Sequence, residues 1–494
     1  MQQLVAAFVS KLQQANPQAI ANTLWAVATM RQRVTEQQVQ QLVAALVSKL
    51  EQANPQDVAN TLWAVATMEL QVSGQQAQQL VAALVSKLQH ANPQDVANML
   101  WAVSVIAECM PDQEQQQALL VTDTQLAALE GHLAAQLQAA TPREVANTLL
   151  ACGRLRCVPQ QLLSALESQT AVLLRQQTAS MNSQALANSA WACGLLGYSS
   201  AQLPGVWLQQ GVRLLQQGQQ HSFGTQDCSN LCWAAVVLDL RRHVPDVLQL
   251  AAACSPLWDS MEAEDLQQLY QAHLWLLDCQ LPSAGQGLAG CLTRQQLQQC
   301  QHSWEQQLAT KTAQPSQLQR SVFAALQRLP GSTWQQAPAM EQRTPDGAYS
   351  IDITAVMAAG GLQLAVEVEG PWHFLRQPRR AADGRTRCRN RALAAATAWS
   401  AYRTGSETRG QPVVRANGSS SSSSSSSTCS TSCRLLLLQM GRQHLASHRR
   451  SKCSSVAALR HDCNAAAVAA RCPVCAAHQA AAAGWWRCCC CGWR

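Results

Sequence analysis

Three carboxylates and an imidazole crowd into the run AYSIDITAVMAAGGLQLAVEVEGPWHF, Ala348 to Phe374. They are Asp352, Glu367, Glu369 and His373. Hard oxygen ligands of this type bind Mg²⁺, and a bound Mg²⁺ activates water for phosphodiester cleavage. Asp352 and Glu367 are the first candidates for such a metal. Their placement depends on a hairpin. Tyr349 to Val356 alternates as a β-strand does, Gly360-Gly361 supplies the turn, and Leu362 to Val368 reads as the returning strand. A period of two puts Glu367 and Glu369 on one face, and pairing brings Asp352 near them.

Most of the chain ahead of this hairpin repeats one phrase. ANPQAIANTLWAVATM (Ala15 to Met30), ANPQDVANTLWAVATM (Ala53 to Met68) and ANPQDVANMLWAVSVI (Ala91 to Ile106) follow at a spacing of 38 residues. Asn22, Asn60 and Asn98 hold the register. It continues less regularly through Asn147, Asn188, Asn230 and Gln268, giving about seven units over 1–304.

Each unit predicts two helices. Over Gln37 to Gln52, Val39, Leu42, Val43, Leu46, Val47 and Leu50 recur at helical spacing and form one apolar stripe. Asn54-Pro55-Gln56-Asp57 then opens a second helix. Asparagine caps it, proline suits its first position, and the acid favours the N-terminal dipole. Thr141-Pro142-Arg143-Glu144 repeats this logic as a capping box. Val58, Leu62, Val65 and Ala66 make the inner face. One such hairpin cannot bury its stripe alone. Stacked neighbours can, so the period predicts an α-solenoid with a long concave surface.

Several recurrent positions have both a ligand-binding and a packing reading. The asparagine at 22, 60, 98, 147, 188 and 230 stands inside a helix, where its propensity is poor. It could read a base edge, but a buried amide bonding backbone groups of the adjacent repeat is the favoured reading. Trp25, Trp63, Trp101, Trp191 and Trp233, three residues later, could stack on a base. Their Leu, Val and Ala surroundings favour packing between repeats. Positions where the copies differ are better ligand candidates, among them Gln14, Gln52 and His90. Lys11, Lys49 and Lys87 recur at the same period as a row that would suit a phosphate backbone, or a solvated helix end.

Bulk composition sets limits. The chain has 494 residues, 47% of them hydrophobic, which is enough for a folded core. A net charge of +7 permits a polyanionic partner without requiring one. No stretch approaches twenty uninterrupted apolar residues, so no membrane span is expected. Ten of the 21 cysteines lie between Cys109 and Cys300, mostly single within apolar helical pattern. They read as small buried hydrophobes in a reducing compartment. Gln2 to Leu12 matches Gln40 to Leu50, so the chain opens part-way through a repeat. We expect its first residues to be missing, which would hide a transit peptide.

The run Y-S-I-D-I…L-A-V-E-V-E-G-P-W-H-F resembles the RAP domain. Thr386-Arg387-Cys388-Arg389-Asn390-Arg391-Ala392-Leu393 and Trp399 resemble its later basic helix, and SQLQRSVFAALQRL (Ser316 to Leu329) the helix that leads into it. The N-T-L-W-A-x-A phrase is similar to the octotricopeptide and heptatricopeptide repeats of green algae and their relatives. The resemblance covers about 344–403. It implies a restriction-endonuclease-like fold after helical repeats, and an organellar RNA-binding protein acting in RNA processing, stability or translation. Single-stranded RNA in the chloroplast stroma or mitochondrial matrix would be the partner, within a ribonucleoprotein, and Arg387, Arg389 and Arg391 would add contacts to it. No cofactor is implied unless the module is a nuclease, which would need Mg²⁺.

The sequence departs from the family at three places. Glu369 replaces the usual aspartate, and stands where related nucleases often carry a lysine. Ala398 replaces glycine before Trp399. The final valine-rich strand is not recognisable after Tyr402.

The expected fold class is thus mainly α. A solenoid over 1–304 is followed by a connecting helix and linker over 305–343, a small α/β RAP domain over 344–415 and a disordered Ser/Cys-rich tail over 416–494. Within that tail Cys463, Cys472, Cys475 and His478 have a zinc-like spacing, but no second well-spaced pair follows. Two other functions stay open: a helical-repeat scaffold that binds peptides along its groove, as armadillo proteins do, and a metal-dependent ribonuclease.

Overall fold

The computed structural model describes residues 2–30, 34–69, 73–109, 120–169, 176, 178–200, 202–219, 222–281, 285–312, 314–361, 363–378, 381–403, 414–416 and 434–440, with side chains through residue 396. The zinc-like cysteines and the serine run lie outside the described residues. The chain divides into two compact units. One comprises Met1–Gln314, Arg343–Ser350 and Pro371–Thr404; the other comprises Pro315–Gln342, Ile351–Gly370 and Gly405–Arg494. The stretch 344–415, expected from the sequence to be one domain, is divided between them.

The first unit is helical. Its helices are α1 (Gln2–Val9), α2 (Pro17–Thr29), α3 (Glu36–Val47), α4 (Pro55–Thr67), α5 (Gly74–Ser86), α6 (Pro93–Cys109), α7 (Asp123–Ala135), α8 (Pro142–Arg154), α9 (Gln160–Glu167), α10 (Ser183–Leu196), α11 (Leu203–Gln216), α12 (Thr225–Val237), α13 (Val244–Ala253), α14 (Ala263–Asp278) and α15 (Arg294–Thr312). Local chemistry starts them where expected. Asn54 Oδ1 accepts from Asp57 N–H at 2.8 Å, and Asp57 Oδ2 from Asn54 N–H at 3.1 Å. This reciprocal box satisfies donors that the first turn of α4 leaves unpaired, and Pro55 needs no partner there.

The even-numbered helices pack in sequence, α2 on α4, α4 on α6, α6 on α8, α8 on α10, α10 on α12 and α12 on α14. On the other side α1, α3, α5, α7 and α9 do the same. The buried stripe residues of both sets, among them Leu42, Leu46, Val58, Leu62, Leu80 and Leu100, join one continuous core. All ten cysteines from Cys109 to Cys300 are free thiols, and all but Cys109 and Cys291 are buried. Burial pushes the Cys157 thiol up to about 11. No helix among the described residues is long and apolar enough to cross a membrane.

A half-buried histidine of this unit contributes to stability. His273 on α14 accepts the Leu288 N–H at Nδ1 over 3.0 Å, and Gly287, at φ +56°, closes against its ring. Burial lowers its pKa below 6.5. Protons therefore bind the unfolded chain more readily. The contribution to stability is present above pH 6.5 and is lost as pH falls through the depressed folded value. A urea midpoint measured from pH 7.5 down to 5 is expected to fall, and less so for His273→Gln, whose amide oxygen can still accept from Leu288.

The second unit carries helix α16 (Gln317–Gln327), capped by Ser316, and an antiparallel sheet. Strands β1 (Trp334–Arg343), β2 (Ser350–Met357), β3 (Gln363–Glu369), β4 (Val414–Ala416) and β5 (Arg434–Met440) lie in the order β1-β2-β3-β5-β4. Leu326, Ile353, Ala355, Met357, Leu364, Val366 and Val368 form its core. The expected hairpin is present as β2 and β3, with Gly360 and Gly361 at positive φ in the turn. Two strands correct the sequence reading. β1 falls where a linker is expected, because WQQAPAMEQR lacks apolar alternation and half of it is exposed, as an edge strand is. β5 falls where a disordered tail is expected, yet Arg434–Met440 pairs with β3 along its length.

Candidate nucleic-acid interface

The acids lie where the hairpin is expected to bring them. Ile353 pairs with Val366, which sets Asp352 across from Glu367. Asp352, Glu367 and Glu369 are all buried. Asp352 Oδ2 accepts the Val368 N–H at 2.8 Å, and Glu367 Oε1 accepts the Asp352 N–H at 3.2 Å. Each of these two carboxylates thus satisfies a backbone donor in the sheet. Among the described residues no group of three or more His, Cys, Asp or Glu is arranged to hold a metal. His373 belongs to the helical unit, where its Nδ1 lies 3.1 Å from Thr386 Oγ1.

The basic residues are engaged in a way the sequence does not disclose. Lys49 Nζ donates to the carbonyls of Leu12 (3.1 Å), Gln13 (3.1 Å) and Ala15 (2.5 Å). Lys87 Nζ does the same one repeat later, to Leu50 (2.6 Å), Glu51 (3.0 Å) and Ala53. A helix end leaves carbonyls without partners, and an ammonium has three donors to give them. In the next unit His132 Nε2 takes this place, 3.0 Å from Ala91 O. Lys49 and Lys87 are therefore braces between repeats rather than a row presented to phosphates. Lys11 is exposed, as are Gln14, Gln52 and His90 at the turns between helices.

Helix α17 (Gly384–Arg403) places its arginines in the same manner. Asp383 Oδ1 caps the helix by accepting the Thr386 N–H at 2.8 Å. Arg387 donates to Gly197 O at 3.0 Å, just past the end of α10. Arg391 donates to Val236 O and Val237 O at the end of α12, and its Nε lies 3.8 Å from Asp239. Arg389 bonds Ser350 O at 3.0 Å. These side chains dock α17 and its flanking segments within the helical unit. The loop before α17 is held likewise, Arg156 donating to Pro371 O and Phe374 O while its guanidinium lies 4.3 Å from the Trp372 ring centre.

The asparagine and tryptophan positions change character along the array. Near its end Gln268 Nε2 donates to Asn230 Oδ1 at 3.0 Å across one period, a bond between side chains rather than to backbone. Asn22 is exposed, and Asn60 and Asn98 are half-buried. Their side chains make no hydrogen bond among the described residues. Trp25 is 45% exposed. Trp63 and Trp101 are half-buried, with ring centres 6.4 Å apart and planes 35° apart. Trp191 and Trp233 repeat this geometry at 6.0 Å and 37°, but they are buried at 7% and 5% exposure. Arg385 of α17 covers them, its guanidinium 5.8 and 5.7 Å from the two ring centres.

Sequence reasoning misses Arg385 and Arg156. Both have partners far off in the chain, so no local spacing could reveal them. Burial raises the pKa of nearby Glu108, and Arg154 and Arg385 oppose the shift. No family model matches the chain, and no curated protein matches it.

Proposed function

We propose that the chain is an organellar RNA-binding protein. Its stacked hairpins form an α-solenoid that tracks single-stranded RNA, and its C-terminal module is a RAP domain that adds nucleic-acid contacts. It acts in chloroplast or mitochondrial RNA processing, stability or translation. The observation that carries this reading is the ordered packing of the even-numbered helices. It sets Asn with Trp three residues later in successive repeats, at Asn22, Asn60, Asn98, Asn188 and Asn230, and so offers an extended polymer equivalent contacts. The E-V-E-G-P-W-H-F run is the second support. RNA crosslinked to the protein in its organelle and sequenced would test the reading. A small set of transcripts enriched at one shared segment is expected; recovery in proportion to transcript abundance would contradict it.

A peptide-binding scaffold is the second reading. It is favoured by the engagement of Lys49, Lys87, Arg387 and Arg391 with carbonyls, which removes them from a phosphate track.

A further inference from the structure

We propose that the open part of the tryptophan row, at Trp25, Trp63 and Trp101 with Asn22, Asn60 and Asn98, is where RNA bases stack and present their edges. This rests on the RNA-binding reading and specifies its contact surface.

Three observations lead there. First, the row already holds a planar group. At Trp191 and Trp233 the Arg385 guanidinium lies over both rings, and the Trp63–Trp101 pair has nearly the same spacing and tilt. The open pair is a second seat of similar shape. Second, Trp25 is 45% exposed, so its indole is accessible to a ligand. Third, each step from Asn22 to Asn98 carries a helix-interior asparagine with no side-chain hydrogen bond among the described residues, as do Asn147 and Asn188, whereas Asn230 is bonded to Gln268 of the next repeat.

The amides select the occupant. An asparagine offers two donors and an acceptor, whereas an arginine side chain can only donate and would use half of each amide. A nucleobase has a π face for the indole and an edge with both donors and acceptors for the amide. The two buried acids of these repeats, Asp57 and Asp95, are held in contacts with their own helix N-termini. The track stops where α17 covers the row.

The test uses the full chain, with tryptophan emission and anisotropy read against labelled homoribonucleotides of U, A and C, each about twelve nucleotides long. Trp25→Ala is expected to weaken binding about tenfold, the scale of one lost base stack. Asn60→Ala with Asn98→Ala is expected to narrow the preference among the three oligonucleotides. Trp25 is exposed and Asn60 and Asn98 are half-buried, and thermal melts would show whether the fold is kept. If RNA binds and neither variant changes affinity or preference, the stacking track is overturned while RNA binding stands. If no RNA binds at low salt, both fail together. If an octa-arginine peptide quenches the emission and RNA does not, the row is a seat for basic peptides and the proposal is wrong.

Discussion

Gly384→Ala is expected to lift α17 from the repeats it covers. A Cβ at this position would overlap Gly194 O and lie 2.9 Å from Val237 Cγ1. No rotamer relieves that overlap, because Cβ is fixed by the backbone and the obstruction is itself backbone. Gly194 O cannot retreat easily, since it accepts the Gly197 N–H at the end of α10. The helix must therefore move, and its contacts with α10 and α12 loosen together: Arg385 on Trp191 and Trp233, Arg387 on Gly197, Arg391 on Val236 and Val237. Overpacking alone costs about 1–3 kcal/mol, and concerted loss of those bonds adds to it. Limited proteolysis is expected to cut near α17 roughly tenfold faster than in the parent, with tryptophan emission shifted to the red. Gly290→Ala is the control, as nothing lies within 4 Å of the place its Cβ would take. Equal proteolysis of both variants would show that the close approach is not what holds α17.

The second large effect is expected at Lys87. Lys87→Met keeps the apolar stem and removes the ammonium, leaving the carbonyls of Leu50, Glu51 and Ala53 without their shared donor. Hydrogen bonds to a charged group contribute about 1.5–3 kcal/mol, and three carbonyls sharing one half-buried ion do not add fully. A loss of about 2 kcal/mol is expected in urea denaturation. Because the brace joins adjacent repeats, hydrogen exchange should rise at α3 and α5 before it rises at α12. A phosphate-binding lysine would behave otherwise: its removal would leave stability unchanged and reduce the salt dependence of RNA binding by about one ion.

Much of the helical unit is legible in the sequence, for a physical reason. Caps, proline starts and stripes act within a few residues, so Asn54, Pro55 and Asp57 state where α4 begins. The 38-residue period then fixes which helices are neighbours. The Asp352–Glu367 pairing is legible for the same reason, since a two-glycine turn and a period of two determine register. The roles of the charged residues are not legible. Lys49 resembles a solvated or phosphate-binding lysine until the carbonyls of Leu12, Gln13 and Ala15 are brought to it, and those belong to another repeat. Arg385 and Arg391 have partners far away in the chain. β1 escapes notice because an exposed edge strand has no apolar alternation to betray it.

The most direct test of RNA recognition by the repeats is anisotropy of the full chain with single-stranded RNAs at graded salt. An RNA enriched from a random pool is compared with a scrambled version of the same composition. Stacking and amide contacts predict a preference of about tenfold or more that persists as salt rises, with a shallow salt slope because Lys49 and Lys87 are bound to carbonyls. Equal affinity for every RNA, or no binding even at low salt, would contradict it.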